Sequence, residues 1–265
     1  MPGRIVDEIL NALRKHVSNL NGITIEKVVR GSGYTCVKLS SGHVGVCFSF
    51  SNEVSPSSDI MSGNVSKMAG RNAMELANLA RSWNLGESAM GIATINALSA
   101  IALPKIKELS VTVGNILDDI AFEKEDTVVF VGRISPLIKR VGRKVKRIYV
   151  LEKDPARRKI GMLPGEAAQE ILPKAHVAII TGTSIANGTI DRLLELCCGS
   201  REIAVVGASA SVLPMPLFEN GVTIIGGMRV LNPDRLLHIV AEGGGTEQLK
   251  EAAQFINVRP KRVRF

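Results

Sequence analysis

The chain has 265 residues, of which 45% are hydrophobic, 22% charged and only 4% aromatic. That balance excludes a disordered or collagen-like chain and requires a mostly aliphatic core. The net charge is +8 and the four Cys include no Cys-x-x-Cys pair, so zinc-finger spacing is excluded.

Met1 to Leu20 carries Arg4, Asp7, Glu8, Arg14 and Lys15 among apolar residues at helical spacing. It reads as an amphipathic helix over 4–20, stopped by Asn21-Gly22, and not as a signal peptide. Three β-rich runs follow: Ile23 to Val29, Tyr34 to Leu39 and His43 to Phe50. Their tight spacing predicts an antiparallel meander, buried on the face carrying Val37, Leu39, Val44, Val46 and Phe48. A two-residue turn at Ser41-Gly42 would place Cys36 opposite Cys47, as packed apolar neighbours or as a disulfide or metal pair.

A loop rich in Ser, Pro and Gly spans Ser51 to Gly63. Helices are expected over Asn72 to Arg81 and Glu87 to Leu103, the second ended by Pro104. The most apolar window, Ala89 to Leu103, falls short of the roughly 20 residues that span a bilayer and contains Thr94, Asn96 and Ser99. It reads as a buried helix, and no membrane contact and a cytoplasmic location are expected.

From about residue 106 onward, Val/Ile runs alternate with helical stretches. The runs are Thr127 to Val131, Arg147 to Leu151, Val177 to Thr181, Ile203 to Val206 and Val222 to Ile225. Helices are expected near 135–145, 166–172, 190–196 and 234–241. The expected class is α/β: a small α+β domain over 1–105, then a doubly wound, Rossmann-like parallel sheet over 106–265. Ligands of such sheets bind outside the carboxyl ends of the strands.

The loops at those ends are therefore the candidate site. After the first strand comes Gly132, the one glycine of a dinucleotide fingerprint that needs three. Glu152 closes the second strand where a ribose-binding acid would stand. The third is followed by Thr181-Gly-Thr-Ser-Ile-Ala-Asn-Gly-Thr189, which supplies Thr181, Gly182, Thr183, Ser184, Asn187 and Thr189 as hydrogen-bonding groups. The alternative is that they serve only as turn formers and caps, but capping needs one hydroxyl and this loop offers several. Ser209 lies in the hydroxyl-rich loop after the fourth strand, and Arg229 follows the fifth. Asn96, in an otherwise apolar helix, either pairs within the core or faces the site. Phosphate-loop, nucleophile-elbow and His-Glu-x-x-His motifs are absent, and none of the four His occupies a strong position.

Between Arg133 and Lys159 there are eleven Lys/Arg against two acids, and the tail after Val258 adds four more basic residues. Such a stripe suits a polyanion, but it has no interleaved aromatics and also reads as a solvated face.

Three segments, Gly91-Ile-Ala-Thr-Ile-Asn-Ala97, Pro164 to Pro173 and Thr181 to Ile190, resemble a family of prokaryotic proteins described as heavy-metal chelation proteins. The resemblance implies a small domain like the N-terminal domain of enolase, a Rossmann-like domain and a site between them. It does not imply enolase activity. The candidate loops offer hydroxyl and amide oxygens where soft metals want thiolates or imidazoles.

The leading expectation is binding of a small polar, anionic molecule between the domains, with a metal ion as an optional companion and catalysis left open. A nucleotide- or S-adenosylmethionine-dependent enzyme using Gly132 and Glu152 is the alternative. A nucleic-acid-associated protein using residues 133–159 is the third. A homo-oligomer is expected.

Overall fold

The computed structural model describes residues 3–51 and 66–261. After helix α1 (Arg4–His16) come strands β1 (Ile25–Arg30), β2 (Tyr34–Leu39) and β3 (Val44–Phe48), then helices α2 (Ala73–Ala77) and α3 (Leu85–Ala102). The second half runs β4 (Leu109–Val113), β5 (Thr127–Val131), α4 (Ser135–Val141), β6 (Arg147–Leu151), α5 (Ala168–Ile171), β7 (Val177–Thr181), α6 (Thr183–Ala186) and α7 (Ile190–Leu196). It continues through β8 (Glu202–Val206), α8 (Met215–Glu219), β9 (Ile224–Val230), α9 (Pro233–Ala241), α10 (Thr246–Leu249) and β10 (Ala253–Pro260).

The expected class is present: a small antiparallel sheet, β1-β2-β3, and a seven-stranded sheet in the order β4-β10-β9-β8-β7-β5-β6. Neighbours from β6 to β9 are parallel. The chain leaves β5 for β6 on one side and returns to β7 on the other. The switch point therefore falls between β5 and β7, as in doubly wound sheets of 2-1-3-4-5 order. β4 and β10, absent from the sequence reading, add an antiparallel edge beyond β9.

Several local expectations are corrected. The first helix ends at His16, where Val17 turns extended; left-handed Asn19, with φ +52°, and a 3-10 turn carry the chain to β1. The helices expected over 135–145 and 166–172 are shorter, the second broken into 3-10 turns at both ends. Asp118 ends a 3-10 turn and Asp119 follows it; Asp118 pairs with Arg140, and Asp119 accepts from Thr112 and Asn257. Apart from Ser51, the Ser51 to Gly63 loop lies outside the described residues.

The hairpin register is corrected too. Leu39 N–H donates to His43 O and Gly42 adopts φ +80°, a three-residue turn with glycine at the left-handed position. Cys36 therefore faces Val46, and Thr35 faces Cys47. A one-residue slip sends a side chain to the opposite face, so Cys36 and Cys47 point to different cores. The small sheet is buried on both faces, by α3 on one and α9 on the other.

Helix α3 is the axis of the molecule. It starts at Asn84, whose side chain accepts from Gly86 and Glu87 N–H, the usual N-cap role. It is long and apolar enough by composition to cross a membrane, yet 78% of its most apolar window is buried. Small residues let it approach its neighbours closely. A Cβ on Gly91 would come 2.6 Å from Ala80 Cα. One continuous core cluster joins α1, α3 and the large sheet.

Candidate functional site

The switch-point loops come first. Gly132, with φ +92°, lies against Thr181, and an added Cβ would come 2.8 Å from the Thr181 methyl. The Thr181 and Thr183 hydroxyls are 3.1 Å apart and half-buried. Gly182 packs on the Ala210 backbone. The structure thus brings Gly132, Thr181, Gly182 and Thr183 together.

The other hydroxyls and amides of that loop are consumed locally. Ser184 Oγ donates to Thr181 O at 2.7 Å, and Asn187 Oδ1 accepts from both the N–H and the hydroxyl of Thr189. Thr189 precedes α7 without a side-chain cap bond. This is ordinary turn chemistry for Ser, Thr and Asn. Glu152 is buried, and its two oxygens accept from Arg133 N–H at 3.0 Å and Asp154 N–H at 3.1 Å. The acid expected to hold a ribose instead fixes the loops after β5 and β6.

A larger hollow lies elsewhere, between the two halves of the molecule. A cavity of about 440 Å³ sits over β9 and β10, within the roughly 300–1,000 Å³ usual for ligand sites. Ile225, Gly227, Ile256 and Val258 form its floor, and Ala100 of α3 with Leu103 and Pro104 of the 3-10 turn that follows form its roof. The β2–β3 turn, with His43, closes one side. Of the sequence candidates it gathers Asn96 and Arg229. Arg229 is exposed and makes no ion pair among the described residues. His43 heads the third β-rich run of the sequence, where nothing marks it as a site residue. The cavity had no sequence signal, because its lining comes from segments far apart in the chain.

A hydrogen-bonded chain ties its wall together. Asn96 Nδ2 donates to Val46 O at 2.7 Å and to Ala208 O at 3.2 Å. Ser211 Oγ donates to the same Ala208 O and accepts from Met228 N–H, both at 2.9 Å. Ser209 Oγ accepts from Phe48 N–H at 3.0 Å. Asn96 and Ser209 thus satisfy two groups of the outer edge of β3, an edge that would otherwise invite wrong pairing. Asn96 Oδ1 is buried without a partner among the described residues. Asn96→Ala strips Val46 O of its donor and should cost about 2 kcal/mol in urea unfolding.

The donor set does not suit a soft metal. Among the described residues no three His, Cys, Asp or Glu groups converge. Burial pushes the Cys36, Cys47 and Cys197 thiols up to about 12, far from the thiolate that binds metal. Only Cys198 is exposed. A thiol reagent at about pH 8 should therefore modify one Cys per native chain and all four after denaturation.

Comparisons with known proteins agree with this fold. A family model described as "Putative heavy-metal chelation" matches residues 115–259, and a second with the same description matches residues 13–99. An uncharacterized protein of Methanocaldococcus jannaschii is 26% identical over 170 residues, 63% of this chain. The match spans 64% of that relative's length, just under two thirds. A DUF364-family crystal structure of unknown function from Desulfitobacterium hafniense superposes with TM-score 0.79 at 23% identity, covering 96% of this chain and 98% of that one. Another from Pyrococcus horikoshii gives 0.82 at 20% identity, covering 96% and 99%. The chain belongs to the DUF364 family.

Proposed function

We propose that the protein binds a small organic anion in the cavity between the small sheet and the large one. The observation that carries this reading is the cavity itself, about 440 Å³, mostly apolar, and lined in part by Arg229, which has no ion pair among the described residues. An apolar hollow with few polar groups is the usual form of a small-molecule site. A planar guanidinium is suited to a carboxylate or phosphate. The family description then applies to a metal held by the bound molecule, because the donors of the described residues do not converge. Arg229 and the cavity wall offer binding groups, so the reading is one of binding.

A thermal-shift series with short aliphatic and aromatic carboxylates and phosphate monoesters tests it. A probe at 100 times its dissociation constant stabilises by about 2.7 kcal/mol, or about 5–10 °C for a chain of this size. Ala100→Phe, which fills the cavity from α3, should abolish the shift. Equal shifts in both proteins would place binding outside the cavity.

A further inference from the structure

The cavity is bordered by two strand edges that have main-chain groups to spare. β8 pairs with β9 only as far as Gly226, because the chain leaves the sheet at Gly207. β9 runs on to Val230 with β10 alone beside it. Successive residues of a strand direct their N–H and C=O to opposite sides. Gly226 O accepts from Gly207 N–H, and Met228 N–H donates to Ser211 Oγ. Gly226, Met228 and Val230 therefore all face the side that β8 has vacated. Met228 O and the N–H and C=O of Val230 have no strand to meet.

The same alternation operates in β3. Leu39 N–H donates to His43 O and Ser49 N–H to Gly33 O, so the odd-numbered residues of β3 face β2. Val44, Val46 and Phe48 face away from it. Ser209 takes Phe48 N–H and Asn96 takes Val46 O. Val44 and the N–H of Val46 remain without a strand partner. Val44, Val46, Met228 and Val230 all line the cavity, and Arg229 lies between the last two.

We infer that the ligand class is an amide-bearing carboxylate of about dipeptide size, which pairs its amide with these free strand edges and its carboxylate with Arg229. An extended amide supplies an N–H and a C=O at strand spacing, as in recognition by strand addition. A simple carboxylate would satisfy Arg229 and leave both edges bare. The inference rests on the cavity being the binding site.

Calorimetric titration of the full chain with N-acetyl-dialanine and pooled N-acetyl dipeptides tests it. The expected result is saturable binding that falls about tenfold or more when the central amide is N-methylated or replaced by an ester. Arg229→Gln should weaken the free acids about tenfold and leave the C-terminal amides unchanged. If the ester or the N-methylated analogue binds as tightly as the parent, strand-edge recognition is overturned. It is also overturned if simple carboxylates bind in an Ala100→Phe-sensitive way and the dipeptides do not, an outcome that preserves the cavity as the site. If neither class binds the wild-type chain, both readings fall.

Discussion

Gly45→Ala is expected to lower stability by about 3 kcal/mol or more. The added Cβ would fall inside the contact distance of Ala93 O and Ala97 N and 2.8 Å from Asn96 C. All three are backbone atoms of α3, which is buried along most of its length and cannot move aside. β3 would have to lift off the helix, taking the Asn96 and Ser209 bonds with it. Urea unfolding checks this, with Gly199→Ala as the control. A Cβ at Gly199 meets nothing within 4 Å, so that change should stay within about 0.5 kcal/mol of wild type.

Asp126→Ala should cost about 3 kcal/mol at neutral pH, and the penalty should shrink in acid. Asp126 is 2% exposed and accepts from Arg201 at 2.9 and 3.2 Å and from Glu123 N–H at 2.7 Å. Burial pushes its carboxyl up. The Arg201 and Glu123 hydrogen bonds outweigh that, aided by the charges of Arg201 and His176, and hold it below the ordinary carboxylate value. A carboxyl depressed in the fold contributes stability above its unfolded value, near 3.9, and loses it as pH falls through the folded value. Wild type and variant should therefore converge below about pH 4 in urea unfolding. A penalty that is constant with pH would mean packing, not charge, holds this corner.

The parallel half of the large sheet was legible because β5, β7 and β8 are nearly continuous Val/Ile runs, the mark of a strand covered on both faces. β4 and β10 were not. Leu109–Val113 is buried only at its first residue, and β10 interleaves Gln254, Asn257 and Arg259 among its apolar positions. Neither reads as a buried run. The hairpin register was missed because Ser41-Gly42 resembles a two-residue turn, whereas Gly42 takes the third position of a longer one.

The site was legible only in part. The hydroxyl-rich loop after β7 drew attention through its composition, yet Ser184, Asn187 and Thr189 bond their own turn. Asn96 was visible as a polar residue in an apolar helix, and Arg229 as a charge at the end of a strand. What joins them is a cavity also lined by Val44, Val46, Met228 and Val230, whose main-chain groups border it. Main-chain groups belong to every residue type, so no sequence pattern announces them.

The central claim is that this cavity holds one small organic anion. Native mass spectrometry of the chain mixed with the pooled N-acetyl dipeptides and simple carboxylates tests it most directly. The account predicts a single adduct per chain on the wild type and none on Ala100→Phe. Adducts of equal intensity on both proteins, or on neither, would contradict it.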